Sequence, residues 1–416
     1  MSPPVEMTNQ LSVNLGSSHG KSYISLQQIC HLDRSGAICG SHLGTIEFIA
    51  IKSLLQPPAF CHVYWPNMRI ISTATAFPPH YFLQNTVLEA LKGQWEQGLE
   101  NAAVLERLHS RTGVAGRYFS LPLEQYPPLD TWGKTNDVWI ETAERLGAHA
   151  IECVLSKAGV DRKQIGALYF VSVTGVSSPS VDARLVNRMG LSPHIKRNPI
   201  FGLGCVAGAA GLARAADYVR AYPDQIAVLL SVELCSLTWQ RDDFNVANLI
   251  ATGLFGDGAA AVLVAGDQVK LTGPRILGSA CSFYPDTQDV MGWKISEKGF
   301  QVVLSPHVPT VVRENLGRDV DAFLAQHAIT RDQVDSWIMH PGGPKVLEAV
   351  ADALGLHNGE LELSWEALQR VGNLSSASVL VVLDEVMTHR RPKPGSRSVL
   401  AAMGPGFCSE MLLLEW

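Results

Sequence analysis

Three side chains, far apart in the chain, carry groups suited to covalent acyl transfer. Cys205 stands in Gly202-Leu-Gly-Cys-Val-Ala-Gly208, before an Ala/Gly/Leu/Arg-rich run that favours a helix from Ala207 to about Arg220. A thiol at a helix N-terminus faces unpaired backbone N–H groups and the positive end of the dipole, which favour the thiolate. His340 leaves an apolar strand in Trp337-Ile-Met-His-Pro-Gly-Gly-Pro344. As an imidazolium it would stabilise that thiolate and donate to a carbonyl oxygen. Asn373, in Gly372-Asn-Leu-Ser-Ser-Ala-Ser378, offers a neutral amide donor to an oxyanion or enolate, where an aspartate would repel the charge. Each also has an ordinary reading: a buried structural cysteine, a strand-end histidine, a helix N-cap.

The elements that must position these groups repeat. Leu155-to-Val171 aligns with Leu324-to-His340 without a gap. At nearly the same offset, Gly204-Cys205 falls opposite Gly372-Asn373, and Ile226-to-Val232 falls opposite the Ser398-to-Met403 strand. A shared offset across three elements indicates an internal duplication. Strands alternating with helices imply an α/β layered fold of two pseudo-twofold-related halves, with parallel central strands at 165–173 and 226–232. Ligands in such folds bind at the carboxyl ends of parallel strands and adjoining helix N-termini, where Cys205, His340 and Asn373 would converge. Other expected elements are a strand at 69–77, a helix capped by Asn85 and running to about Trp95, a short helix at 105–110, and a long helix at 136–158. The long helix has an apolar side at Val138, Ala143, Leu146, Ala150, Ile151, Val154 and Leu155. Residues 256–264 read as a turn entering a strand.

The 416 residues are 46% hydrophobic and 17% charged, enough for a large core. A net charge of −6 and the lack of a basic run with interleaved aromatics argue against a nucleic-acid partner. Eight scattered cysteines show no CxxC and no zinc spacing. With no signal peptide, they read as reduced thiols of a cytoplasmic protein. The early apolar run Leu43–Leu55 is too short to span a bilayer. Residues 1–67 differ from the rest and read as an extension, with Met68 an alternative start; residues 68–267 and 268–416 would be the two halves. His31, Cys39, His42, Cys61 and His62 fit no metal motif.

From about Met68 to Trp416 the chain resembles the type III polyketide synthases, the chalcone synthase-like ketosynthases of the thiolase fold. The resemblance rests on Gly204-Cys-Val-Ala-Gly208, Leu254-Phe-Gly-Asp-Gly258, His340-Pro-Gly-Gly-Pro344, Gly372-to-Ser378 and Met403-Gly-Pro-Gly-Phe407, in that order. It implies a thiolase-like duplicated αβαβα fold, a homodimer, and acyl-CoA and malonyl-CoA as substrates without a metal or redox cofactor. Cys205 would carry the starter and growing chain, and His340 and Asn373 would bind the malonyl carbonyl. Phe255 would be a gatekeeper, and Gly404, Pro405, Gly406 and Phe407 would shape the cyclisation cavity. Thr238 and Ser375 are kept from the plant pocket. Cys235 replaces a threonine, Val302 a second gatekeeper phenylalanine, and Ser178 a methionine of the dimer-crossing loop; Trp293 closes space elsewhere. Arg107, Arg111 and Arg117 lie where the family binds CoA phosphates. Val232-to-Asp243 resembles the bacterial branch making alkylpyrones and alkylresorcinols from long-chain acyl-CoA.

Three rival functions share parts of this residue set. A ketoacyl synthase that condenses once onto carrier protein shares the Cys/His/Asn logic, but His-Pro-Gly-Gly and the Gly-Pro-Gly-Phe ending favour polyketide synthesis. A papain-like cysteine hydrolase shares the Cys, His, Asn order, yet Cys205 lacks that family's local context and the duplication has no place there. A non-catalytic scaffold of the same fold has no reason to keep all three groups.

Overall fold

The computed structural model describes residues 67–95, 102–357 and 359–416. The sequence readings on residues 1–66 lie outside them. The first half is built from β1 (Arg69–Ala76), β2 (His80–Leu83), α1 (Gln84–Gln94), α2 (Ala102–His109), β3 (Gly116–Phe119), α3 (Trp132–Ala158), β4 (Ile165–Val171), α4 (Val181–Met189), β5 (Lys196–Ile200), α5 (Ala207–Ala221), β6 (Ile226–Leu234), α6 (Val246–Leu254) and β7 (Asp257–Ala265). The second comprises β8 (Arg275–Phe283), β9 (Met291–Ser296), β10 (Gly299–Leu304), α7 (Val308–Ala325), β11 (Ser336–Met339), α8 (Pro344–Leu354), α9 (Glu362–Val371), α10 (Ser378–Thr388), β12 (Arg397–Gly404) and β13 (Cys408–Glu415).

Nine strands lie in the order β11-β12-β13-β8-β1-β7-β6-β4-β5. The two halves meet at β1 and β8 through the pair Arg69↔Arg275. Strands β6 and β7 are buried along their whole length and mostly apolar, as strands covered on both faces must be. Helices α5 and α10 form the middle layer: each packs against strands of both halves. Helix α3 covers β1, β6 and β7 from outside, and α7 and α8 cover the second half. This is the expected αβαβα layering.

Close approach dictates the composition of α5. A Cβ at Gly208 would stand 2.2 Å from the carbonyl oxygen of Ser376, and one at Gly211 would stand 2.6 Å from Leu229. Helix α3 begins at the N-cap Thr131, which accepts from the Lys134 N–H, and ends at Gly159 with φ 64°. Its inner face is the expected one from Ala143 to Leu155, with Trp139 rather than Val138 as the buried residue of the first turns.

The structure corrects the sequence reading in four places. The sheet is mixed: β6 is parallel to β4 but antiparallel to β7, and β1, β7, β8 and β13 pair antiparallel. Asn85 lies inside α1, whose N-cap is Leu83 with no side-chain cap. The long helix starts at Trp132, because Thr131 caps it there. The duplication is real at β4/β11, where the preceding turns both carry capping boxes, Asp161 with Gln164 and Thr330 with Gln333. However, the 3-10 turn Gly204–Val206 before α5 corresponds to Ser375–Ala377 before α10. The counterpart of Cys205 is therefore Ser376; Asn373 stands just ahead of that turn.

Among the described residues, no helix is long and apolar enough to cross a membrane.

Candidate active site

A cavity of about 540 Å³ collects side chains from four places in the chain. Cys205 comes from the turn before α5, His340 from the end of β11, Asn373 from the segment after α9, and Ser375 from the turn before α10. All four are buried. Phe255, Trp293, Val302, Pro405, Phe407 and Arg111 also line it. Trp293 and Val302 face each other across the β9–β10 hairpin. The bulky ring stands opposite the small side chain, so the space left by Val302 is narrowed by Trp293.

The backbone around Asn373 is fixed from both sides. Its N–H donates to the Leu254 carbonyl (2.9 Å), and its carbonyl accepts from Gly256 (3.0 Å). The amide Nδ2 donates to the Gly342 carbonyl (3.1 Å), while Oδ1 accepts from the Ser375 N–H (2.8 Å) and the Ser378 hydroxyl (3.3 Å). One amide hydrogen is left for a ligand. Ser375 sits at φ 48°, a conformation a non-glycine residue rarely adopts, and its Oγ accepts from the Cys205 thiol at 3.7 Å. Both ring nitrogens of His340 are buried and have no partner among the described residues. Unpaired buried polar atoms are costly unless a ligand completes them.

Burial dominates the electrostatics. It pushes the Cys205 thiol up to about 12; the Ser375 hydroxyl and the Cys205 backbone act in the opposite direction, and Glu233 adds to the rise. It pushes the His340 imidazole down to about 4. Desolvation thus disfavours either charge standing alone, so the thiolate and imidazolium expected from the sequence are compatible with this burial only as a pair. A charge on one is tolerated only opposite a charge on the other. A proton moved from sulfur to imidazole leaves the cavity with no net charge.

Beneath Cys205 lies Glu233, in the otherwise apolar β6 and wholly buried. Its carboxyl accepts from the Ser172 and Thr174 hydroxyls (3.3 and 2.9 Å), the Val173 N–H (3.1 Å) and the Ser376 hydroxyl. Burial still lifts it to about 7. The sequence reading missed it, although an acid inside Ile226-to-Leu234 was a visible signal.

Other expected positions fall differently. Cys235 is buried and does not line the cavity, and Thr238 lines a separate cavity of about 230 Å³. Ser178 is exposed. Gly404 and Gly406 frame Pro405 without lining the cavity. A Cβ at Gly404 would stand 2.6 Å from the Val206 nitrogen, and one at Gly204 would stand 2.6 Å from Pro405. The Gly-Pro-Gly loop therefore rests directly on the Cys205 turn.

Arg107 is exposed and away from the cavity, whereas Arg111 is exposed and lines it. Arg117 cannot bind phosphate. It is wholly buried, with its guanidinium donating to the carbonyls of Phe255 (3.0 Å) and Thr252 (2.7 Å). Burial lowers it to about 9, opposed by the Asp257 carboxylate. Asp257, from the Phe-Gly-Asp-Gly stretch, accepts from the backbone and hydroxyl of both Ser120 and Ser236. The sequence reading also missed Lys345, which lines the cavity with Arg111.

The layered fold and the Cys, His and Asn convergence define a thiolase-type condensing enzyme. The family model described as chalcone and stilbene synthases, N-terminal domain, matches residues 66–268, and its C-terminal counterpart matches 275–415. The chain belongs to this family and is an acyltransferase of the type III polyketide synthase class. It is similar to the 1,3,6,8-tetrahydroxynaphthalene synthase of Streptomyces peucetius subsp. caesius, 48% identical over 88% of this chain and 99% of the relative. It is 33% identical to a 3,5-dihydroxyphenylacetyl-CoA synthase of Amycolatopsis orientalis, over 73% of this chain and 84% of the relative. Among solved structures, the 1,3,6,8-tetrahydroxynaphthalene synthase of Streptomyces coelicolor A3(2) aligns with a TM-score of 0.79 at 30% identity, over 84% of this chain and 99% of that one.

Proposed function

We propose that the protein condenses malonyl-CoA iteratively onto an aliphatic acyl starter held on Cys205, and cyclises the chain to a pyrone or resorcinol. The Cys205 sulfur attacks the acyl-CoA carbonyl, forming a thioester and releasing the CoA thiol. A malonyl-CoA thioester carbonyl then sits between a His340 N–H and the remaining Asn373 N–H. Carbon dioxide leaves, and the electron pair of the broken bond becomes an enolate held by these donors. The enolate carbon attacks the Cys205 thioester, making the carbon–carbon bond and freeing the sulfur for the lengthened chain. Decarboxylation supplies the carbon nucleophile, so the chemistry needs neither a metal nor a redox cofactor. Arg111 and Lys345 would meet the CoA phosphates. A homodimer, implied by the family resemblance, in the cytoplasm, as the scattered unpaired cysteines suggest, is the expected form.

One observation carries the reading. The two unpartnered ring nitrogens of His340 share a largely apolar cavity with the Cys205 thiol and the Asn373 amide. The aliphatic starter is supported by that apolar lining. A second reading, with malonyl as starter and a tetrahydroxynaphthalene product, is favoured by the 48% identical relative. Mass spectrometry of products from malonyl-CoA and a ladder of acyl-CoA starters, beside Cys205→Ala, tests both. Pyrones or resorcinols that track the starter and vanish in the variant support the first reading. A starter-independent aromatic product supports the second. Products limited to one condensation sink both.

A further inference from the structure

Helix α6 ends against Asn373, and its last turn leads into Phe255, a wall of the catalytic cavity. The last carbonyls of a helix have no partners within it. Here each is met from outside. The Thr252 carbonyl accepts from Arg117 Nη2 (2.7 Å), Gly253 from Gln84 Nε2 (2.8 Å), Leu254 from the Asn373 N–H (2.9 Å) and Phe255 from Arg117 Nη1 (3.0 Å). Arg117 stands in β3 and Gln84 opens α1, and both are buried. Gly256 in turn donates to the Asn373 carbonyl, so Phe255 and Asn373 form an isolated parallel bridge. The bridge has no slack. A Cβ at Gly372 would stand 2.7 Å from the Leu254 carbonyl oxygen, and one at Gly256 would stand 2.7 Å from the Val371 carbonyl oxygen and 3.1 Å from Arg117.

We propose that Arg117, assisted by Gln84, is a positioning residue for malonyl decarboxylation: by holding the end of α6 it sets, through the Phe255–Asn373 bridge, where the free Asn373 amide hydrogen stands. The inference rests on the reading of Asn373 as a donor to the malonyl carbonyl, and adds what aims it. A guanidinium is a rigid planar fork, so two of its N–H groups fix two carbonyls at once, and its charge suits the negative end of the helix dipole. A lysine ammonium carries the same charge without the fork. The amide hydrogen meets a substrate oxygen only while the Asn373 backbone keeps its place, and a displacement of about 1 Å costs about 100-fold in rate. Cys205 comes from a different turn, packed against the Gly-Pro-Gly loop, and its thiol reaches this assembly through the Ser375 hydroxyl. Thiol reactivity is therefore a separate readout.

The test is acetyl-CoA release from malonyl-CoA by the full chain, beside iodoacetamide inactivation of Cys205 and urea melts. Arg117→Lys lowers kcat about 10- to 100-fold, while KM and the inactivation rate stay within about twofold of wild type. In an Asn373→Ala background the same change costs less than about twofold further, because the hydrogen that Arg117 aims is gone. A merely structural role would not give that dependence. Gln84→Met leaves the fork in place and lowers kcat about three- to tenfold in the same pattern, so it serves if Arg117→Lys does not fold. A folded Arg117→Lys with kcat within about twofold of wild type overturns the proposal, as does a raised KM with kcat kept. If Asn373→Ala lowers the rate and the loss from Arg117→Lys is equal in both backgrounds, the donor reading stands and the role of Arg117 falls. If Asn373→Ala alone leaves decarboxylation unchanged, the donor reading fails and this proposal with it.

Discussion

Replacing Asn373 separates what its two amide atoms do. The oxygen is structural: it accepts from the Ser375 N–H and the Ser378 hydroxyl, while the nitrogen holds the Gly342 carbonyl and presents one hydrogen to the cavity. Asn373→Ala removes the donor, a change that costs about 100- to 1,000-fold in rate when a preorganised oxyanion donor is lost. It also strands two buried donors, at about 1–3 kcal/mol of stability each. Asn373→Asp keeps the acceptor, so it remains more stable than the alanine variant, but it sets a carboxylate beside the developing enolate. At pH 8 its rate falls to the alanine level or below. Burial raises a carboxyl pKa, so on acidification this group becomes a neutral O–H donor and activity returns as pH falls. The ranking by stability is thus Asn, Asp, Ala, and the ranking by rate at pH 8 is Asn, Ala, Asp. Acetyl-CoA release from malonyl-CoA between about pH 5.5 and 8.5, beside urea melts, reads both. A folded Asn373→Ala within about fivefold of wild type, or an aspartate variant whose activity does not rise on acidification, would refute the reasoning.

Arg117→Met removes a wholly buried cation and leaves the buried Phe255 and Thr252 carbonyls without its donors; urea melts should show a loss of about 1–3 kcal/mol for each stranded carbonyl. A raised KM for acyl-CoA with unchanged stability would instead return Arg117 to the phosphate site. Lys345→Ala, at a solvated rim, should raise the KM for malonyl-CoA about two- to tenfold with kcat kept, an effect that added salt shrinks. Burial lowers His109 to about 3 and His340 to about 4. Both stay neutral in the fold while the unfolded chain binds protons below about 6.5, so stability is full above that pH and falls as pH drops toward 4. The slope reaches about 1.4 kcal/mol per pH unit for each histidine, and denaturant titrations of His109→Gln should show it reduced.

The sequence by itself determined the local elements and the identity of the reacting groups. An Ala/Gly-rich run makes α5, and Gly208 and Gly211 are needed because the helix passes within contact of a backbone carbonyl and of Leu229. The duplicated pattern announced two halves, and the motifs around Cys205, His340 and Asn373 marked the strand and helix ends that converge. These signals are short-range: periodicity, turn chemistry and residue type are written in consecutive residues. The parallel pairing of β4 with β6 was expected from their buried runs, whereas the antiparallel direction of β7 against β6 and β1 was not legible, because a buried strand carries the same kind of run whichever way its neighbour points. Arg117 reads like Arg111 in a string of letters, yet one is enclosed by α6 and Asp257 and the other stands at the cavity edge. The protonation of Cys205 and His340 also belonged to the tertiary structure, since a helix terminus acts through neighbours in the chain whereas desolvation depends on everything that closes over the site.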